Sequence, residues 1–313
     1  VTKYQRIGDI YEAALHAVTK SPDMWTAFLR SACRNYKTRF DEQILIYAQR
    51  PDATAVLEIE KWNRQFGRRV NRGAKGIAVF DDEHGENYLL KHYFDISDTH
   101  ETEFSRTVPL WEMEPQYEAE VIESLENSFG ELEEKTTLAA AIMSTAQNIV
   151  ADNLPDYRSE LMNCLDGSHL ATLDELSVES VYHTALQSSV AYTILTRCGI
   201  DTNKYIDPDE LQAVTRFNTW QTINALGIAS GDISKMFLRE ISKTVLNLQK
   251  QEKNTNRTFA KDSEISDNII NKDERGFEDD RNIDISYGGR LYDSQPDPAG
   301  GSPDSPWQVR LAP

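Results

Sequence analysis

The apolar positions change their period along the chain. Ile10, Ala13, Ala14, Ala17 and Val18 recur at helical spacing. Ser21 followed by Pro22 is a helix start, a serine cap ahead of a proline at the first helical position. Trp25, Phe28, Leu29, Ala32 and Tyr36 then share one helical face. Asp41 is placed to cap a third helix carrying Ile44, Leu45 and Ala48, which Pro51-Asp52 ends. The pattern next turns extended. Residues 54–57 predict a short strand, and 59–66 a helix closed by Gly67. Val70 opens another extended segment, and Gly73 and Gly76 frame a turn. Residues 77–80 predict a buried strand, 82–85 a turn, and 88–94 the returning partner of a hairpin.

After Pro109 the pattern is helical, over 116–129, 136–151, 155–164, 173–198, 208–226 and 233–251. Asp174 and Asp232 are predicted caps, Gly199 and Gly227 predicted terminators. The expected architecture is an α+β N-terminal domain of helices plus a small antiparallel sheet (1–108), then an acidic all-α domain (109–252). Residues 253–313 lose periodicity and predict a disordered linker or tail. Such a tail reads as an interdomain linker, and Val1 in place of Met predicts an incomplete or processed chain.

Charge sharpens this division. The 313 residues hold 33 Lys and Arg against 51 Asp and Glu. Residues 1–80 carry fourteen of the former and eight of the latter, a net of +6, which leaves −24 for the rest. A uniformly basic nucleic-acid coat is excluded, whereas a basic head on an acidic body predicts separate tasks for the two parts. Between Asp81 and Glu134, seventeen carboxylates face only Lys91 and Arg106. They fit a solvated helix face first; the sharper alternative is a DNA-mimicking or self-inhibitory surface that competes for a partner's basic groove. No apolar run approaches the ~18–20 residues of a membrane span. The three cysteines, Cys33, Cys164 and Cys198, form no CxxC pair. The expectation is a cytoplasmic, soluble, reduced protein.

The segment Arg64-Gln65-Phe66-Gly67-Arg68-Arg69-Val70-Asn71-Arg72-Gly73-Ala74-Lys75-Gly76 carries the candidate chemistry. Arg64, Arg68, Arg69, Arg72 and Lys75 supply charge that releases counterions from a phosphate backbone. Gly73 and Gly76 let a backbone approach closely, and turn N–H groups bind anions. Tyr47 and Trp62 are candidates to stack on bases. The same residues also fit a hairpin with solvated charges and core aromatics. Neither a P-loop nor a dinucleotide fingerprint occurs. His100-Glu101-Thr102-Glu103 begins like a zinc-protease motif, but Phe104 stands where the second histidine is needed. A Cys33–His16 pair is weighed against ordinary core packing of the thiol. No catalytic residue, metal site or cofactor is expected.

The runs 28–36, Phe40-Asp41-Glu42-Gln43-Ile44-Leu45-Ile46-Tyr47-Ala48-Gln49-Arg50-Pro51-Asp52-Ala53-Thr54, Trp62-Asn63, 70–80 and Tyr93-Phe94-Asp95-Ile96-Ser97-Asp98-Thr99 together resemble a known family. It is the N-terminal region of very large proteins of Firmicutes conjugative elements, where it precedes helicase and adenine-N6 DNA methylase modules. This resemblance runs over about residues 3–251, and weakly to 306–310. Residues 25–99 are also similar to the N-terminal domain of ArdC antirestriction proteins, which binds single-stranded DNA. The metalloprotease-like half of ArdC has no counterpart here, and neither helicase motifs nor a methylase motif occurs. The resemblance implies a non-catalytic DNA-binding module, favouring single strands, in a mobile-element DNA-processing or antirestriction protein. Its expected partners are single-stranded or processed DNA and the helicase or methylase modules of the same parent, with no membrane. The alternative is an acidic interaction or inhibitor module that engages a host defence enzyme or that missing helicase or methylase part.

Overall fold

The computed structural model describes residues 1–81 and 89–270. The chain divides into a compact unit, Val1–Thr258, and a second, Phe259–Pro313, of which the helical backbone of 259–270 is described. The first unit opens with α1 (Lys3–Val18), α2 (Pro22–Ala32) and α3 (Phe40–Gln49). Thr2 and Gln5 form a capping box on α1, and the Ser21 hydroxyl accepts the Met24 N–H ahead of Pro22, as the sequence predicts. α3 begins one residue before the expected cap. Asp41 lies inside its first turn, and it is the Glu42 carboxylate that reaches back to the Arg39 N–H. On α1 the buried positions are Ile7, Leu15 and Val18, while Ile10 and Ala13 are exposed.

Next come β1 (Val56–Glu58), α4 (Ile59–Phe66), β2 (Arg69–Val70), β3 (Ile77–Asp81), β4 (Leu89–Asp95) and β5 (Thr99–His100). One antiparallel sheet has the order β1-β4-β3, with Val56 opposite Asp95 and Ile77 opposite Tyr93. β2 and β5 form a separate antiparallel ribbon, Arg69 opposite His100. The turn expected at 82–85 lies outside the described residues. Gln49 supports β3 from α3: its amide accepts the Ala78 N–H at 3.0 Å and donates to the Ala78 carbonyl at 2.8 Å, so a side chain does the work of a neighbouring strand.

The helical part holds α5 (Glu118–Phe129), α6 (Leu138–Met162), α7 (Glu175–Arg197), α8 (Pro208–Leu211) and α9 (Trp220–Ile270). The α+β class with a following all-α part is as expected, but several boundaries differ. α6 runs through Pro155, because Ile149, Val150, Leu154 and Leu161 keep one buried stripe across it. That burial outweighs the lost proline hydrogen bond. The helix expected over 208–226 instead breaks after α8 into a 3-10 turn, and the Thr219 hydroxyl then caps α9 by accepting the Thr222 N–H. Gly227 and Asp232, expected as terminator and cap, lie inside α9. Gly227 is needed for packing, since a Cβ there would collide with the Phe40 ring of α3. α9 continues past 252 to Ile270, and the residues from 271 onward, where most of the tail is expected, lie outside the described set.

The boundary expected at 108/109 does not divide the core. Trp25, Phe28, Phe40 and Ile44 belong to the same buried cluster as Tyr182, Leu195, Phe237 and Val245. Polar contacts join the two parts as well. Trp25 Nε1 donates to Ser189 Oγ at 2.8 Å, Tyr11 to Asn224 at 2.9 Å, and Thr19 Oγ1 to the Phe217 carbonyl at 2.7 Å. A smaller cluster of Leu45, Ile46, Val56, Ile77, Val79 and Tyr93 sits between α3 and the sheet. α3 thus serves two cores, with Ile44 turned to one and Leu45 and Ile46 to the other.

Candidate nucleic-acid interface

α4 ends as its residues dictate. Gly67 takes the left-handed conformation at φ 61°, and its N–H and that of Arg68 close the helix on Asn63 and Trp62. The chain then enters β2, and Asn71-Arg72-Gly73-Ala74 turns it into β3. Ala74 N–H bonds back to the Asn71 carbonyl at 3.1 Å, and Gly73 sits at φ 86°, the third position at which a type II turn takes glycine. Arg72 is at the tip of that turn. The Asn71 N–H donates to the Asp98 carbonyl, and its side chain meets His100 Nδ1 at 2.7 Å, so the turn is tied to β5.

The structure separates the basic residues into two groups. Arg64, Arg69, Arg72 and Lys75 are exposed and make no side-chain hydrogen bond or ion pair to a described residue. Arg106, exposed on the next loop, is likewise unpaired among the described residues; its backbone N–H donates to the Phe66 carbonyl. Other cations nearby are committed. Arg34 donates to the Ala53 and Pro51 carbonyls, Arg50 pairs with Asp98, and Lys61 pairs with Glu58.

Four expected site residues fall outside the exposed group. Arg68 is only 12% exposed: it donates to Thr99 Oγ1 at 2.8 Å and Glu101 Oε1 at 2.7 Å, which locks β2 onto the chain around β5. Trp62 is 0% exposed, with Nε1 donating to the Phe94 carbonyl at 2.8 Å, so no base can reach its face. Tyr47 is half-buried and packs edge-on against Phe28. Gly76 lacks a positive φ; a Cβ there would press on His92 and Phe94 across the sheet, so close strand packing is its role.

One aromatic close to this segment in sequence stands in water. Phe104 is 76% exposed on the loop after β5. Only its exposure distinguishes it, and exposure has no sequence signature when a lone aromatic interrupts polar residues.

Two ionic groups brace the site from behind. Burial opposes ionisation of Glu42, but Lys91 at 2.8 Å, the Arg39 N–H and the Tyr93 hydroxyl outweigh it and hold the carboxyl below its ordinary value. Burial likewise opposes ionisation of Asp95. The Ser97 hydroxyl and the N–H groups of Ala55, Ser97 and Thr54 overcome it, so this carboxyl is also lowered.

Elsewhere, a cleft of about 710 Å³ lies beside the end of α1 and the turn after α8, where Lys20 and Arg216 share the lining with Asp209, His16 and His169. Burial pushes the thiols of Cys33 and Cys198 up to about 11 and about 12, which leaves them protonated and poorly nucleophilic at neutral pH. Among the described residues, no group of three or more His, Cys, Asp and Glu is placed to hold a metal ion. No described helix is long and apolar enough to cross a membrane. Comparison with protein-family models, curated proteins and solved structures gives no match.

Proposed function

We propose that the surface built from the end of α4, the β2–β5 ribbon and the 71–76 turn binds DNA, with a preference for single strands. One observation carries the reading. Arg64, Arg69, Arg72 and Lys75 stay exposed, and unpaired among the described residues, on a braced framework, while their neighbours Arg34, Arg50, Lys61 and Arg68 are consumed by protein partners. Cations held apart from carboxylates on an otherwise acidic chain are available to a phosphate backbone. The sequence resemblance points the same way, toward a non-catalytic module of a mobile-element DNA-processing or antirestriction protein. Four phosphate contacts imply that log affinity for an oligonucleotide falls with log salt at a slope of about −2.8. Replacing Arg72 and Lys75 by Ala should lower that slope by about 1.4 and leave the fold intact, because both side chains are exposed. Fluorescence anisotropy with labelled oligonucleotides at several salt concentrations measures both. Absent or salt-independent binding, or an unchanged slope in the double variant, overturns the reading.

A second reading is favoured by the acidic stretch. Glu112, Glu114, Glu120, Glu123, Glu131, Glu133 and Glu134 are exposed, and between Glu112 and Glu134 the only carboxylate ion-paired with a cation among the described residues is Glu126, with Lys135. This face suits a basic partner protein, or competes with DNA for the basic surface. Removing everything after Pro109 cannot discriminate, since that part shares the core of α2 and α3. Glu120→Gln, Glu123→Gln and Glu133→Gln together can. Tighter DNA binding in that variant supports competition, and unchanged binding assigns the acidic face to another partner.

A further inference from the structure

Phe104 sits at the apex of a short turn that is tied down on every side. Thr102 Oγ1 and Ser105 Oγ both donate to the Gly67 carbonyl, at 2.7 and 3.1 Å. Ser105 Oγ also accepts the Thr102 N–H at 2.8 Å, and the Phe104 N–H donates to Thr102 Oγ1 at 3.3 Å. The Ser105 N–H closes the turn on the Thr102 carbonyl, and the Arg106 N–H donates to the Phe66 carbonyl at 2.9 Å. The backbone of Phe104 lies against Gly67 so closely that any Cβ there would strike its carbonyl. These hydrogen bonds seat residue 104 on the end of α4, yet the phenyl ring itself is the most exposed aromatic side chain among the described residues.

The chain stretches that these ties join carry cations that are unpaired among the described residues. Arg64 lies one helical turn before the Gly67 cap, Arg69 two residues after it, and Arg106 two residues after Phe104. An exposed aromatic face on a braced stretch that also carries guanidinium groups offers both things a single strand needs. The cations track the phosphates, and the ring accepts the π-face of a base, whatever its identity. A duplex offers no free base face, so the ring adds nothing to its binding.

We propose that Phe104 is the base-stacking platform of this surface and the residue that makes it prefer unpaired bases. The proposal rests on the DNA-binding reading above and adds to it the source of strand selectivity. Glu103, exposed beside the ring, opposes the strand's charge.

The test compares Phe104→Ala, Phe104→Leu and Phe104→Trp in the full chain, using a labelled oligothymidine and a duplex of equal length. Phe104→Ala should weaken oligothymidine binding by about 5- to 150-fold with an unchanged salt slope, and leave duplex binding unaltered. Phe104→Leu, apolar but without a π-face, should behave like alanine. Phe104→Trp should bind as the parent does, with a fluorescence quench on oligothymidine addition beyond any seen in the parent. The exposure of the ring means that all three should retain the parent's melting temperature. Parent-like oligothymidine affinity in Phe104→Ala, or equal loss for duplex and single strand, overturns the stacking role. These outcomes are separable from failure of the DNA-binding reading, which shows instead as absent binding or an unchanged salt slope in the Arg72/Lys75 variant.

Discussion

Arg68 and Arg69 are adjacent arginines that the structure gives opposite tasks, and replacing each by alanine should expose the difference. Arg68 donates to Thr99 Oγ1 and Glu101 Oε1 at hydrogen-bond distances of 2.8 and 2.7 Å, and more distantly to the Thr99 carbonyl at 3.4 Å. Thr99 is buried, so the bond to it has the worth of a charge-assisted bond out of water, about 1.5–3 kcal/mol. Glu101 is 75% exposed, which limits that ion pair to about 0–1 kcal/mol. Arg68→Ala should therefore loosen the β2–β5 ribbon by about 2–3 kcal/mol. Arg69 is exposed and unpaired among the described residues, and Arg69→Ala should stay within about 0.5 kcal/mol. Because the ribbon is only two residues deep, the loss should appear first as local opening. Hydrogen exchange followed by mass spectrometry reads it in peptides covering residues 68–74 and 98–106. At 1.4 kcal/mol per tenfold, these amides should exchange about 30- to 150-fold faster in Arg68→Ala. Arg69→Ala should leave exchange near parent values but lower the salt slope of DNA binding by about 0.7. Parent-like exchange in Arg68→Ala, or equal effects of the two variants, would refute the assignment of Arg68 to the framework.

Two further predictions concern stability. Gly227→Ala places a methyl group in the Phe40 ring where α3 meets α9, and this overpacking should lower stability by about 1–3 kcal/mol in urea unfolding followed by tryptophan fluorescence. The carboxyls of Glu42 and Asp95 are held below their ordinary values in the folded state, so their contribution is present above about pH 4 and is lost as pH falls through the lower folded values. Thermal melts should accordingly be insensitive to these two groups between pH 5 and 7, by the same linkage, at the level of about 0.5 kcal/mol, and fall below about pH 4. Asp95→Asn should shallow that acid limb while lowering stability at neutral pH; an unchanged limb would count against the role of Asp95.

Local backbone chemistry was legible in the sequence wherever one residue type has one dominant answer. Ser21-Pro22 starts α2, Asp174 caps α7, and Gly67 and Gly199 end helices in left-handed conformations, because a cap or a positive φ is satisfied within a few residues of chain. The alternating and continuous apolar runs likewise marked β3, β4 and the helical second part. Only the tertiary structure decided what faces what. Trp62 and Phe104 are both aromatics in polar surroundings, yet one is sealed beneath β4 and the other is held in water. Arg68 and Arg69 carry the same charge, yet a strand alternates its side chains between faces, and only Arg68 meets Thr99 and Glu101. Gly227 looks like a helix stop, but α9 passes through it, since the burial of Phe40 against its backbone outweighs the modest helix penalty of a glycine. The same packing merges the basic and acidic parts into one core: charge asymmetry reports what each surface meets, whereas the division of a core depends on apolar contacts between residues distant in the chain.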